Sequence, residues 1–256
     1  MRRTSIRSIL FAATAALAAG ASADTGQRID ATPMTAREEI DQSYELAANA
    51  TVRVEGVAGP VTVETGDFSR AEVHVVRLAA SQRELDCYRT QVSATRNSLT
   101  IQHVQDQSRA CRSINARQEV RLRLPRSANV EMESIAGAVE IGPVDGMLRL
   151  NSIAGRTTLA EVRSAEISSI AGRLVLGLAP LGREGIDVSS VAGPIELSAA
   201  PGVDADVEVS SIMGSVRGFS DLEGENGGYR ARIGRGGARV SLSSIVGSVT
   251  FRRPLD

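Results

Sequence analysis

A four-residue block, Ser-Ile-Ala-Gly, recurs along this chain and constrains the fold more than any single motif does. Three copies occupy residues 134–137, 152–155 and 169–172, and close variants occupy 190–193, 211–214 and 244–247. An earlier variant, Gly-Val-Ala-Gly, occupies 56–59. Self-similarity of this kind is the signature of a chain that stacks small structural units on one another.

Aliphatic residues keep fixed positions around each repeat glycine. In the unit of Gly172, the residues at −7, −5, −2, +2 and +4 are Ala165, Ile167, Ile170, Leu174 and Leu176. A spacing of two predicts β-strand, because successive side chains of a strand point to opposite faces. The step of three between −5 and −2 shifts this phase by one residue. The pattern therefore predicts a bend or bulge at the serines that lie between these positions.

The repeat glycines share the inward phase of the aliphatic positions that follow the bend. The absence of a Cβ at a recurring position predicts a close approach of backbone or an unusual φ/ψ value. We therefore expect structural roles for Gly59, Gly137, Gly155, Gly172, Gly193, Gly214 and Gly247.

A unit of 17 to 21 residues, the spacing of most repeat glycines, cannot bury its apolar side alone and must stack on a neighbour. We predict an all-β fold: a repetitive β-solenoid or β-helix-like stack, preceded by a smaller antiparallel β region. An antiparallel sandwich or prism is the alternative, since short strands at these spacings also build those folds. In the stack, one internal ladder is expected to contain Ile135, Ile153, Ile170, Val191, Ile212 and Ile245.

The first 23 residues have the pattern of a secretory signal peptide. Arg2, Arg3 and Arg7 precede an apolar run, and Ala-Ser-Ala at 21–23 is a cleavage site of small residues. No cysteine precedes Cys87, so a lipid-modified N-terminal cysteine is not expected. No later apolar stretch is long enough to span a bilayer. We expect the mature chain in the periplasm or at the cell surface.

The remaining chain divides into three predicted segments. Residues 24–39 form a flexible arm, residues 40–127 an N-terminal β region with an insertion, and residues 128–256 the repeat array. Cys87 and Cys111 both lie in the insertion, and in an oxidising compartment they predict a disulfide.

Charge argues against binding to nucleic acid. The chain has 29 basic and 30 acidic residues, and cleavage of the leader with its three arginines leaves 26 against 30. The sequence has no nucleophile elbow, phosphate-binding loop or helical metal motif, so we predict no catalytic, cofactor-binding or metal-binding residue.

Three weaker features have ordinary structural explanations. His74 and His103 lie in strand-like runs and could meet across a sheet, although no carboxylate supports the pair. Asp204 and Asp206 alternate in a strand, as do Asp221 and Glu225 in a loop, and these residues could contribute to a generic calcium site. The loop 234–237, Gly-Arg-Gly-Gly, resembles a basic glycine loop but is more typical of a solvated turn.

The serial order of these blocks resembles the bacterial putative-adhesin family, a β-strand-repeat domain of unknown function. The matching features are Val-Arg-Val at 52–54, Gly-Pro-Val-Thr-Val at 59–63, the strand 120–125 and the repeated Ser-Ile-x-Gly-x-Val blocks. The resemblance covers about residues 40–251. It implies an exported repetitive β-fold and supplies no catalytic residues.

These observations favour a non-enzymatic exported protein that acts as a cell-envelope scaffold, adhesin-like or interaction module. Its expected partner is an envelope protein, a peptide or a glycan. An envelope-stress accessory or sensor protein that binds a peptide or lipid is the alternative. A carbohydrate-active enzyme is disfavoured, because outward residues such as Glu140, Arg156 and Glu196 form no paired acids and the chain is only 3 % aromatic.

Overall fold

The computed structural model describes residues 33–106, 108–112, 114–225 and 228–252. The predicted signal peptide, residues 1–23, and most of the predicted arm lie outside the described residues. The described chain is all-β, as the repeat predicts, with one short α-helix, α1 (Gln82–Cys87), and a 3₁₀ turn at Arg109–Cys111. The strands are β1 (Ala36–Tyr44), β2 (Thr51–Glu55), β3 (Val61–Gly66), β4 (Ala71–Ala79), β5 (Tyr88–Ala94), β6 (Ser98–Gln105), β7 (Ala116–Pro125), β8 (Asn129–Ala136), β9 (Val139–Ile141), β10 (Val144–Ala154), β11 (Thr157–Ala171), β12 (Leu174–Leu178), β13 (Ile186–Ala192), β14 (Ile195–Ala199), β15 (Ala205–Met213), β16 (Val216–Arg217), β17 (Glu223–Glu225), β18 (Gly228–Ile233), β19 (Ala238–Val246) and β20 (Val249–Arg252).

Strands on the same side of the repeat glycine pair in parallel and in register. The strands that precede the glycines, extended at one end by β6 of the insertion, lie in the order β6, β2, β8, β10, the second half of β11, β13, β19 and β15; we call this row the first ladder. The strands that follow the glycines, extended at one end by β7 of the insertion, lie in the order β7, β3, β9, the first half of β11, β12, β14, β20 and β16; we call this row the second ladder.

Antiparallel pairs stand at the two ends of these ladders. At the N-terminal end, β4 pairs with β7, β1 with β4, and β5 with β6. At the other end, β18 pairs with β15, and β17 with β18. Throughout the repeat array the pairing between units is parallel, so the alternative of an antiparallel sandwich or prism is wrong for this part of the chain.

The predicted one-residue shift in the strand phase is a β-bulge. The serine at each bulge has a left-handed backbone conformation. Asn151 pairs with Ser168 and Ile153 pairs with Ile170, so the register omits Ser152 and Ser169. The φ angles at this position are 58° for Ser134, 56° for Ser152, 55° for Ser169 and 53° for Ser190. In the earliest unit the same position is taken by Gly56, whose φ is 70°. The bulge lets residues on both sides of the slip face the core, as predicted.

This geometry predicts how Ser169 tolerates substitution. Its side chain is exposed, so changes there act through the backbone alone. We expect Ser169→Gly to leave the free energy of unfolding within about 1 kcal/mol of wild type, because glycine adopts this φ freely. We expect Ser169→Val to lower it by about 1–3 kcal/mol, since a β-branched residue is strained there. Urea unfolding of both variants measures the difference, and equal midpoints would contradict the bulge assignment.

Aliphatic side chains of both ladders fill one continuous core. Ile153 and Ile170 are each 1 % exposed, and Leu148 and Leu176 are fully buried. Thr157 is a polar residue in this apolar core, and it is buried between the neighbouring strands of the second ladder. Burial of this continuous apolar surface, on the order of 25 cal/mol per Å², is the main stabilising contribution to such a stack.

The order of the units along the ladders differs from their order in the chain. β19 pairs with β13 on one side and with β15 on the other, so residues 238–252 lie between the units of Val191 and Ile212. Val191 and Ile212 therefore both pair with Ile245 and not with each other, which corrects the predicted stacking of Val191 on Ile212. Ile212 is only half-buried because its unit is the last in the row.

The segment between these two units explains the changed order. Thirty-three residues separate Gly214 from Gly247, and they include β17 and β18. β18 covers the free edge of β15 in antiparallel register, and the chain then returns to form β19 on the opposite edge of β15. The longest glycine spacing in the array is thus the point at which the stack departs from sequential order.

The N-terminal strands belong to the same ladders as the repeat array. β2 pairs with β8 and β3 with β9, so both ladders are continuous across residue 128, and the described residues belong to one compact unit. β1 begins at Ala36, inside the segment predicted as a flexible arm. Ile40 and Tyr44, which fix its alternation, pack against the core while β1 pairs with β4.

Candidate functional site

The repeat glycines lie against one another through the backbone. A Cβ added to Gly172 would come closer than 3.0 Å to the carbonyl oxygen of Gly155, and the φ of Gly172 is 142°. A Cβ at this position would therefore point along the ladder toward the backbone of the neighbouring unit. The inward phase had predicted that this position faces the aliphatic core. The same approach joins Gly137 to Gly59, Gly155 to Gly137, Gly193 to Gly172, Gly247 to Gly193 and Gly214 to Gly247.

Cys87 and Cys111 form the predicted disulfide, with Cα atoms 5.4 Å apart. The bond joins the end of α1 to the 3₁₀ turn, and both cysteines are buried. It closes the insertion between β4 and β7.

Removal of this bond should measurably destabilise the protein. We expect the Cys87→Ser, Cys111→Ser double variant to lose roughly 3 kcal/mol of unfolding free energy, the chain-entropy value for a loop of this length. Wild type unfolded in urea with a reductant is the matched control and should shift by a similar amount. An unchanged midpoint in both experiments would contradict a bonded pair in the native protein.

The two histidines lie in separate surroundings. His74, on β4, contacts Asp41 of β1, with Nδ1 and Oδ1 2.6 Å apart. His103, on β6, packs against the ring of Tyr88, with ring centroids 3.3 Å apart. Because β4 pairs with β7 at the end of the second ladder and β6 lies in the first ladder, the structure does not bring the two imidazoles together as a site.

The basic glycine loop binds a carboxylate of its own chain. Asp204 accepts hydrogen bonds from the backbone N–H of Arg235 at 2.8 Å and from its guanidinium at 2.7 Å. These bonds, the backbone one foremost, lower the pKa of Asp204. Asp206 likewise contacts Arg232 and the backbone of Gly237. Asp204 and Asp206, two of the four residues of the generic calcium hypothesis, are therefore engaged by internal donors.

A group of acidic, basic, imidazole and hydroxyl side chains lies on the outer face of the sheet at the N-terminal end of the second ladder. Here β1, β4, β7 and β3 lie side by side. One cross-strand row contains Asp41, His74, Arg121 and Thr62, and the next contains Ser43, Glu72, Arg123 and Glu64. The two rows border a shallow cleft of about 670 Å³, which we call the outer cleft.

Arg123 organises one row of the outer cleft. Its guanidinium contacts Glu72 at 2.9 Å and Glu64 at 3.3 Å, and it lies 4.3 Å from the ring centroid of Phe68. The hydrogen bond to Glu72 is the main cause of the raised pKa of Arg123. Arg121, by contrast, pairs with Glu119 of its own strand at 2.5 Å.

The Ser43 hydroxyl and the His74 imidazole of the outer cleft are each engaged by a neighbouring side chain. The hydroxyl of Ser43 accepts a hydrogen bond from Arg70, and the imidazole of His74 contacts Asp41. Among the described residues no group of three histidine, cysteine or acidic side chains could hold a metal ion. The cleft instead presents alternating carboxylate, imidazole and guanidinium groups, which form paired hydrogen bonds with polar surfaces.

A second polar row, on the first ladder, was not identified from the sequence. Arg53, Glu131, Arg149 and Glu166 alternate in charge across β2, β8, β10 and β11, with contacts of 2.7, 3.3 and 3.5 Å. All four stand six residues before a repeat glycine, and this fixed offset is the signal that could have revealed them. No helix in the described chain is long and apolar enough to cross a bilayer.

The chain resembles several solved structures at very low sequence identity. A putative cell adhesion protein from Clostridium sporogenes has a TM-score of 0.45 at 10 % identity, with 85 % of this chain and all of that chain covered. A putative adhesin from Bacteroides fragilis has a TM-score of 0.30 at 10 % identity, with 84 % and 97 % covered.

A third structure carries a different description. A putative lipid binding protein from Parabacteroides distasonis has a TM-score of 0.26 at 10 % identity, with 84 % of this chain and 96 % of that chain covered. No model of a known protein family matches the sequence, and no curated protein matches it. The first two structures are named as a putative cell adhesion protein and a putative adhesin, and the repeated blocks of the sequence resemble a family with the same designation.

Proposed function

We propose that this chain is an exported, non-enzymatic β-solenoid that serves as an adhesin-like interaction module of the cell envelope. Parallel ladders fill their interior mainly with aliphatic side chains, so most of the charged side chains of the described chain lie on the outer faces. Such a body is a rigid platform on which side chains from many strands stand at fixed intervals of about 4.8 Å.

The observation that carries this proposal is the outer cleft. Asp41, His74 and Arg121 come from three different strands, and only the sheet brings them together. Their side chains are partly or largely exposed, and a polar envelope component could form hydrogen bonds with all three. An envelope protein, a peptide or a glycan provides such groups.

A capture experiment with variants of the outer cleft tests the proposal. The mature chain, residues 24–256, is immobilised and exposed to an envelope fraction of the source bacterium, and the retained components are identified by mass spectrometry. The Asp41→Ala, Arg121→Ala variant should lose components that wild type retains. Both changes are on the surface, so folding should be preserved to within about 1 kcal/mol.

The Arg156→Ala, Arg217→Ala variant is the matched control. Both arginines are exposed on the second ladder outside the cleft, so this variant should retain the wild-type components. Identical retention by all three proteins would contradict a role of the outer cleft. Loss in both variants would show that retention depends on exposed arginines in general and not on the outer cleft.

A further inference from the structure

A disulfide-linked segment covers the N-terminal end of the first ladder. It consists of residues 81–94, with α1 and β5, and residues 108–112, with the 3₁₀ turn; we call it the cap. β5 pairs antiparallel with β6, outside the parallel strands of the ladder, and the Cys87–Cys111 bond ties the two parts of the cap together. Segments outside the main ladders can open locally at a lower free energy than global unfolding.

Polar contacts attach the cap to the neighbouring strands. Arg77 of β4 is only 5 % exposed, and its guanidinium donates to the carbonyls of Leu85 and Tyr88 in the cap and pairs with Glu38 of β1. The hydroxyl of Tyr88 accepts a hydrogen bond from the backbone N–H of Ala58 at 3.1 Å. The cap therefore rests on polar contacts as well as on its buried side chains Leu85, Cys87 and Tyr88, and the contacts of Arg77 depend on charge.

His103 of β6 lies at the centre of these contacts. Its ring packs on Tyr88, and its Nδ1 lies 3.1 Å from the carbonyl oxygen of Arg89, which makes Nδ1 the donor and Nε2 the unprotonated nitrogen. Nε2 is buried and has no hydrogen-bond partner among the described residues. An imidazolium at this position would place a second N–H where no acceptor is available.

The ionisable groups that face His103 disfavour a positive charge. Arg77 of β4 faces His103 with a positive charge, and Tyr88 of β5 faces it with a neutral ring. The turn after β2 faces it with Gly56, which has no side chain and so adds no charge. Burial, with a further contribution from Arg77, lowers the pKa of His103 to about 4 in spite of its bond to Arg89.

We propose that the cap is an acid-released cover of β6, opened when His103 binds a proton. The imidazolium gains its missing acceptor from water only when Tyr88 moves away from it. Release of β5 would uncover the N–H and C=O groups of β6, and an unpaired strand edge is a template for an added strand from a partner. The disulfide keeps the released cap tethered, so that it can close again at neutral pH.

The direction of the pH dependence follows from the depressed pKa. The closed cap is fully stabilised above the ordinary histidine pKa of about 6.5, and stability is lost as pH falls toward 4 because the open state binds the proton more tightly. At pH 5 the ratio of open to closed cap should rise by up to about 30-fold.

Hydrogen exchange of the full mature chain at pH 7 and pH 5, corrected for intrinsic rates, tests the proposal. Peptides of β5 and β6 should lose protection at pH 5, while peptides of β19 should not. His103→Gln should abolish the acid response, whereas His74→Gln, at the only other histidine, should keep it. Unchanged protection at pH 5, or the same loss in His103→Gln, would overturn the proposal.

Should His103→Gln open the cap already at pH 7, the wild-type protein still decides the matter. The chain has two histidines, so their ring resonances can be followed by NMR as the pH is lowered. The proposal expects the His103 resonance to change together with those of the cap. Titration of His103 near pH 6.5 with the cap resonances unchanged would refute it.

Discussion

Gly172→Val should lower the free energy of unfolding by about 4 kcal/mol. Two effects combine at this position. Its φ of 142° lies in a region that is almost exclusive to glycine, where another residue is strained by about 1–3 kcal/mol. A Cβ would also collide with the carbonyl of Gly155, and this carbonyl is part of a rigid backbone, so overpacking adds about 1–3 kcal/mol.

Ala171→Val is the matched control for this prediction. Ala171 is exposed and adjacent to Gly172, and the chain itself has valine at the equivalent position of another unit, Val246. We expect its urea midpoint to lie close to wild type, since surface changes rarely exceed about 0.5 kcal/mol. If Gly172→Val unfolded at the same midpoint as Ala171→Val, the close backbone contact between units would not exist.

Ile245→Ala should cost more stability than Ile212→Ala, although both residues occupy the same position of the repeat. Ile245 is fully buried and lies between Val191 and Ile212, so removal of its side chain leaves a closed cavity and costs about 3–5 kcal/mol. Ile212 is half-buried at the end of the row, where solvent and neighbours can fill the space, and we expect a loss of about 1–2 kcal/mol.

The two substitutions control for each other, because the removed atoms and the strand position are the same. Denaturant unfolding of the two variants in parallel gives the difference directly. A stack in chain order would place Ile212 inside and Ile245 at the end, and it would give the reverse result.

Local features of this fold could be predicted from the sequence because they repeat at fixed offsets. The phase of Ile167 and Ile170 and the bulge between them follow from side-chain alternation within one unit. The disulfide follows from two cysteines in one insertion of an expected exported chain. The strand β1 was harder to predict, since its segment also contains helix-forming residues and pairs only with a distant strand, β4.

Relations between units could not be predicted in the same way. Ile212 and Ile245 present the same side chain at the same position, so periodicity does not say which of them lies beside Val191. The outer cleft is a similar case. Asp41, His74 and Arg121 are far apart in the chain, and only the register of β1, β4 and β7 brings them into one row.

Cysteine cross-linking measures most directly the order in which the last three units, those of Val191, Ile245 and Ile212, lie along the first ladder. Ala192, Val246 and Met213 are all exposed and occupy the same position in three units. In the structure Ala192 pairs with Val246, and Val246 pairs with Met213. Cα atoms of paired strands lie about 4.8 Å apart, within disulfide range, whereas strands two places apart are about 9.6 Å away and out of range.

Two double variants, Ala192→Cys with Val246→Cys and Ala192→Cys with Met213→Cys, are oxidised under native conditions and their disulfides are mapped by mass spectrometry. The native Cys87–Cys111 bond serves as an internal reference in both. The structure predicts a cross-link between positions 192 and 246 and none between positions 192 and 213. A cross-link between 192 and 213, with none between 192 and 246, would show that the units follow chain order and would contradict this account.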